Sequence, residues 1–234
     1  MSEGKPAWME KCTAVLLVAA LFLVAFNTMQ VGEMKAAFKS STATTGMLSA
    51  GDTAAGQTAG VLSFEVAPKG MPPIYGAELG VSYDDVSPAN PQKADETIRK
   101  LAVLDQQISL SGSDLERYIA IASQISCEYC CGAPSIIFEN GQPACGCAHS
   151  YAMRGLAKYL ITKHGSEYTD DQVLDEMAKW KTLFFPGKLV EKAKVLAAQG
   201  IDLSYVNLAS NKYRGIEAQA AAGSSAGSSM VGGC

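Results

Sequence analysis

Cysteine is scarce in this chain except in one short stretch: Cys12 and Cys234 stand alone, while five others crowd between Cys127 and Cys147. Basic clusters are missing too. The 19 Lys and Arg residues are scattered among 23 Asp and Glu for a net charge of −4, and no basic patch is interleaved with aromatics. That excludes a nucleic-acid binder. Residues 41–60 and 217–234 are poor in large apolar groups and cannot bury enough surface to fold by themselves, so they read as a flexible stalk and a tail. Asp84 and Asp85 have no third group named by the sequence to complete a catalytic set, and they read as a turn and solvated cap.

Charge is absent altogether over the 21 residues between Lys11 and Glu33, where TAVLLVAALFLVAF is almost wholly apolar. At about 1.5 Å per residue a helix of that length spans roughly 30 Å, the thickness of the hydrocarbon core. One transmembrane helix is expected over residues 12–32. The small residues that would end a cleavable signal peptide are missing, since Phe26, Asn27, Thr28 and Met29 follow the apolar run. Cys12 precedes the run and so is not the lipid-modified cysteine of a lipoprotein. An uncleaved signal anchor in the cell membrane follows. Lys5 and Lys11 on one side match Lys35 and Lys39 on the other, so the positive-inside bias sets no orientation. The short tail of residues 1–11, as in ordinary signal anchors, argues for a single-pass protein with its C-terminal domain extracytoplasmic.

The cysteine stretch reads CEYCC, then thirteen residues from Gly132 to Ala144, then CGCAH. Cys127, Cys130 and Cys131 therefore face Cys145, Cys147 and His149. Thiolates and imidazole are the ligands that borderline and soft metals prefer. Asn140-Gly141 is a strong turn signal, so Ile136, Ile137 and Phe138 can run outward and return the second knuckle beside the first. Three readings fit. A metal, zinc or copper(I) or an iron–sulfur unit, would use these six residues as ligands, with Cys127, Cys130, Cys145 and Cys147 sufficing for tetrahedral zinc. Four protein ligands would make zinc structural, whereas copper(I) on two or three sulfurs would suit a carrier or sensor. A reactive dithiol would use Cys127 and Cys130, spaced for thiol–disulfide exchange. Disulfides would staple a surface interaction module, although five cysteines cannot all pair within one chain and vicinal Cys130-Cys131 is poor geometry for a bridge.

The rest of the folded region has helical periodicity. A helix is expected from Ala94 to Gln107, with Ile98, Leu101 and Ala102 inward. Ser113 and Glu116 match a capping box before Leu115, Tyr118, Ile119 and Ala122, a face leading directly to Cys127. The next helix starts at the second knuckle, with Met153, Leu156, Ala157, Leu160 and Ile161 repeating until Gly165. Cys147 and His149 then sit in its first turn, where unpaired amides favour a thiolate, and His164 in its last turn reads as a cap. Thr169 and Gln172 open a helix with Val173, Met177, Trp180 and Phe184 on one face; Pro186-Gly187 interrupts it, and Leu189, Ala193 and Leu196 mark another ending at Gly200. The expected fold class is all-α, a small helical bundle with a Cys-rich hairpin between two helices. Its boundaries are 1–11 tail, 12–32 anchor, 33–92 stalk and extended linker, 93–207 helical metal-binding domain and 208–234 low-complexity tail.

The motifs CEYCC, CGCAHS, YTDDQVLDEM and FFPG, between Cys127 and Gly187, resemble the membrane-anchored proteins known by a PCYCGC signature, for which a metal-binding role is suggested. The folded region is also similar to small membrane-anchored archaeal proteins of unassigned function. More distantly, a CxxC before helices and an acidic Thr-Asp cap resemble the CcmH-type thiol proteins of cytochrome c maturation. That likeness implies that Cys127 and Cys130 exchange disulfides, with Thr169, Asp170 and Asp171 as a structural cap. The partners expected are the membrane, through one helix, and a protein that exchanges metal or thiols.

Overall fold

The computed structural model describes residues 64–219 and 230–232. The expected anchor at 12–32 lies outside them, and among the described residues no helix is long and apolar enough to cross a membrane. What is described is helical, as expected. The helices are α1 Gly76–Leu79, α2 Pro91–Gln107, α3 Gly112–Ala122, α4 Ala148–His164, α5 Asp170–Phe184, α6 Pro186–Ala198 and α7 Tyr205–Ala209. Three 3-10 turns join them, at Tyr83–Asp85, Asn211–Tyr213 and Ile216–Gln219.

Helix α2 begins at Pro91, three residues before the apolar repeat. Asn90 accepts the Lys93 amide at 3.2 Å, and proline in the first turn gives up an N–H that had no partner there. Its Ala94, Ile98 and Leu101 are buried against α4. Gly155 in α4 allows that approach: an added Cβ would overlap the Leu101 carbonyl oxygen and lie 2.8 Å from the Asp105 amide nitrogen. The two helix backbones touch at this point. Helix α5 starts with the expected capping box, Thr169 Oγ1 accepting from Gln172 at 3.3 Å and Gln172 Oε1 accepting the Thr169 amide at 2.8 Å. Arg117 of α3 pairs with Asp170 at 2.6 Å, tying α3 to the same turn. The α5 face of Val173, Met177, Trp180 and Phe184 enters the main core, while Ala178 meets Leu189, Ala193 and Leu196 of α6 and Leu208 and Ala209 of α7.

Four features differ from the sequence reading. The packed chain reaches upstream of residue 93, because Tyr75, Val81, Tyr83 and Val86 are core residues and the Tyr75 hydroxyl donates to buried Glu176 at 2.7 Å. Asp84 and Asp85 do act as turn and cap there, Asp85 accepting the Ser82 amide at 3.0 Å. The box expected from Ser113 and Glu116 does not form. Gly112, with φ 55°, turns the chain from Ser111 into the helix, so the first turn is already under way at Ser113. Helix α3 also stops at Ala122, short of Cys127, since Ile125 pairs with Ser210 and its carbonyl accepts from Ile136 at 3.1 Å. Finally, His164 does not cap α4 but bridges two carboxylates, Glu167 at 2.6 Å from Nδ1 and Glu78 at 3.0 Å from Nε2.

Gly155→Ala is expected to force α2 and α4 apart and lower stability by about 1–3 kcal/mol, read as a fall in Tm. The His164 bridge makes stability depend on pH. Burial lowers the His164 pKa, but the hydrogen bonds and charges of Glu167 and Glu78 outweigh it and leave it above 6.5. The protonated bridge therefore contributes fully below 6.5 and is lost as pH rises through the elevated folded value. Titration by NMR should show that elevated value, and Glu78→Gln should bring it down.

Candidate functional site

The cysteine loop leaves α3 through Ile125 and Ser126 and turns at once. The Cys130 and Cys131 amides both donate to the Cys127 carbonyl at 3.2 Å, and Gly132, with φ 72°, ends the turn. A short hairpin follows as expected. Gly141 takes φ 79°, Ile137 bridges Pro143, and the Ala144 amide returns to the Ile136 carbonyl at 3.0 Å. Ile136 and Ile137 are buried, whereas Phe138 at the tip is 59% exposed. The second knuckle thus lands beside the first.

All six expected residues converge. Cys131 and Cys145 are joined as a disulfide, their Cα atoms 6.8 Å apart, which gives Cys131 the partner the spacing left unassigned. Cys127, Cys130 and Cys147 are free thiols. Cys127 Sγ lies 3.1 Å from Cys147 Sγ, so its recorded sulfur contact is with the second knuckle and not with Cys130, its partner in the CxxC reading. Two groups of three ligand atoms lie mutually within 4.8 Å: Cys127, Cys145 and Cys147, and Cys130, Cys147 and His149. Sulfurs on a tetrahedral zinc are about 3.8 Å apart, so either spacing can close on one ion. Cys147 belongs to both groups.

Cys147 is the N-cap of α4. Its sulfur accepts the Ser150 amide, which satisfies one orphan donor of the first turn, and lies 3.4 Å from the Ser150 hydroxyl. The hydrogen bond from Cys127 holds the Cys147 thiol well below the usual thiol range, with burial opposing and bonds from His149 and Ser150 helping. Cys127 moves the other way, pushed up first by that same bond and then by burial.

His149 packs against Phe184 and Phe185 in tilted geometry, with ring centroids 4.7 and 5.0 Å away, and its Nε2 donates to the Val231 carbonyl at 2.8 Å. The Val231 amide in turn donates to the Phe184 carbonyl at 2.9 Å. Gly232 fits beside them because an added Cβ would overlap Ile98 Cδ1. This covering segment belongs to the stretch that composition marks as a tail, and its signal was a single valine.

Buried charges hold each knuckle. Arg154, fully buried in α4, donates from Nη1 to the Cys145 carbonyl at 2.8 Å and to Ile136 at 3.3 Å, while Nε and Nη2 pair with Asp105 of α2 at 2.9 Å. Lys181 of α5, also fully buried, bonds Glu128 of the first knuckle at 3.1 Å and the Ala209 carbonyl at 2.7 Å. Burial lowers its pKa to about 8 against the pull of Glu128. Arg214 reaches the other Glu128 oxygen at 3.1 Å and the Gly132 carbonyl at 2.9 Å.

No family model, curated protein or solved structure matches this chain. The site must be read from its own geometry. That geometry is a buried thiol and imidazole cluster, able to hold a metal ion, beside a disulfide.

Arg154→Ala would leave Asp105 with Lys158 alone, remove the Arg154 donor from the Cys145 carbonyl and leave the Ile136 carbonyl with the Ala144 amide only. A loss of about 3–5 kcal/mol is expected, together with faster alkylation of Cys127 and Cys147 by iodoacetamide under native conditions. Unchanged alkylation would show that the knuckles keep their place without the fork.

Proposed function

We propose that this chain is a membrane-anchored, extracytoplasmic metal-binding protein that holds one zinc ion through Cys127, Cys130, Cys147 and His149. The observation that carries the reading is the position of Cys147 Sγ at the common corner of two buried groups of ligand atoms, each within 4.8 Å. Three thiolates and one imidazole would complete a tetrahedral set once Cys127, from one group, and Cys130 and His149, from the other, close on the ion with Cys147, and four protein ligands would make the zinc structural. Cys145, expected among the ligands, is bonded to Cys131, and His149 takes the fourth place. The Val231 carbonyl supports that role, because a carbonyl accepts only and so keeps the proton on Nε2, leaving ligation to Nδ1. Membrane anchoring rests on the uncharged segment at 12–32.

Protein purified without air should carry about one zinc per chain, with Cys127, Cys130 and Cys147 protected from alkylation until the metal is chelated. Cys147→Ala should lose the metal and local folding together, since binding energy is folding energy in such a site. No metal together with rapid alkylation of all three thiols would overturn the reading. One equivalent of copper(I) in place of zinc would keep the site and make the protein a carrier.

A further inference from the structure

The two ends of the Cys131–Cys145 bridge stand in different surroundings. Cys131 is exposed, at the end of the first knuckle's turn, where Gly132 and Pro134 are exposed as well. Cys145 is buried, and its sulfur lies within 4.8 Å of both the Cys127 and the Cys147 sulfurs. Cys145 thus belongs at once to a disulfide and to a three-sulfur ligand group. While bonded to Cys131 it has no thiolate to give a metal. Released, it would stand where a third sulfur is already placed, with its carbonyl still held by Arg154.

We infer that the Cys131–Cys145 disulfide is a redox gate on the metal centre, opened by a partner dithiol that attacks it at Cys131, the end carried by an exposed residue. This rests on the zinc reading above. The partner's thiolate forms a mixed disulfide with Cys131, and the Cys131–Cys145 bond breaks with its electron pair leaving on Cys145. The partner's second thiol then attacks its own sulfur in the mixed disulfide and releases Cys131. Two electrons and two protons pass from the dithiol to the bridge, leaving a disulfide on the partner and two thiols here. Attack from the solvent side suits this direction, because the exposed residue of the bridge is the one that does not become a ligand. The ligand set then changes from Cys127, Cys130, Cys147 and His149 to one in which Cys145 replaces His149, four sulfurs around one ion. Exchange with the partner's disulfide form runs the same steps backwards, passing two electrons and two protons to that disulfide, and returns the fourth place to the imidazole.

The test uses the whole 234-residue chain and Co²⁺ as the probe. Wild type is compared in the bridged form and after dithiothreitol treatment and desalting under nitrogen, with Cys131→Ser as a permanently opened form. Cys131 is exposed, so its replacement leaves the core intact. Thiol counting must first show two more thiols in the reduced wild type than in the bridged form. The expected result is that reduction and Cys131→Ser each tighten Co²⁺ binding by about tenfold or more and strengthen the sulfur-to-cobalt charge-transfer bands. His149→Ala should weaken binding in the bridged form far more than in the reduced form. Equal affinities and equal spectra in the two redox states, with the thiol count changed, would overturn the gate and leave the zinc reading standing. No Co²⁺ uptake in either state would overturn both.

Discussion

The fully buried guanidinium of Arg154 is the constraint on which the site depends. A charge with no access to water must be offset by a counter-charge and by acceptors for its donors. Arg154 finds acceptors for Nε and Nη1 on three separate pieces of chain, the Asp105 carboxylate of α2, the Ile136 carbonyl of the hairpin and the Cys145 carbonyl of the second knuckle, while Nη2 faces the same carboxylate as an ion pair. Tyr151 lies under the guanidinium, 4.5 Å from its ring centroid, and Lys158 pairs with the second Asp105 oxygen at 2.7 Å. Moving any one of these pieces would strand a buried polar group. The close approach of α2 to α4 at Gly155 puts Asp105 in range, so the backbone contact and the ion pair require each other.

Lys181 plays the matching part for the first knuckle, but from a different helix. Its ammonium sits between Glu128 and the Ala209 carbonyl, and burial is the main reason it holds its proton less tightly than an ordinary lysine. One knuckle is therefore tied to α4 and the other to α5. The separation of their sulfurs follows from how α4 packs on α5, with His149 wedged against Phe184 and Phe185 at that contact. A ligand cluster built in this way depends on the helix packing more than on the flexible chain between the knuckles.

The parts legible in the sequence are those whose cause is local. Asn140-Gly141 makes a turn from its own backbone preferences, Thr169 and Gln172 cap a helix within four residues, and the apolar spacing of α4 and α5 is their own. The convergence of six soft ligands also followed from their closeness in sequence. The missed features depend on partners far along the chain. Ile125 leaves its helix for Ser210, which lies 85 positions on, and Arg154 looks like an ordinary surface residue until Asp105 is known to face it. The arginine did leave a trace, since it stands between Met153 and Leu156 on a face otherwise apolar. Ser113 matched a pattern whose physical condition, an extended residue at the helix entry, is met two positions earlier by Ser111. The pairing of Cys131 with Cys145 was open at the sequence level because any of three upstream cysteines could meet either of two downstream ones.

Cys147 joins the helical frame to the chemistry. As the N-cap of α4 its sulfur already accepts the Ser150 amide, and a thiolate has lone pairs for a metal as well, so capping and ligation do not compete. Three thiolates on a divalent ion leave one net negative charge at the centre. The exposed amides at the start of a helix are the favourable place for such a charge, and α4 is long enough for its dipole to count there. A fourth thiolate in place of the imidazole would add a second negative charge at the same helix end. Lys181, buried beside the first knuckle and bound to Glu128, is a fixed cation placed to offset it. Helix start, buried lysine and cysteine cluster thus form one electrostatic unit, in which the frame favours the anionic state that metal binding requires.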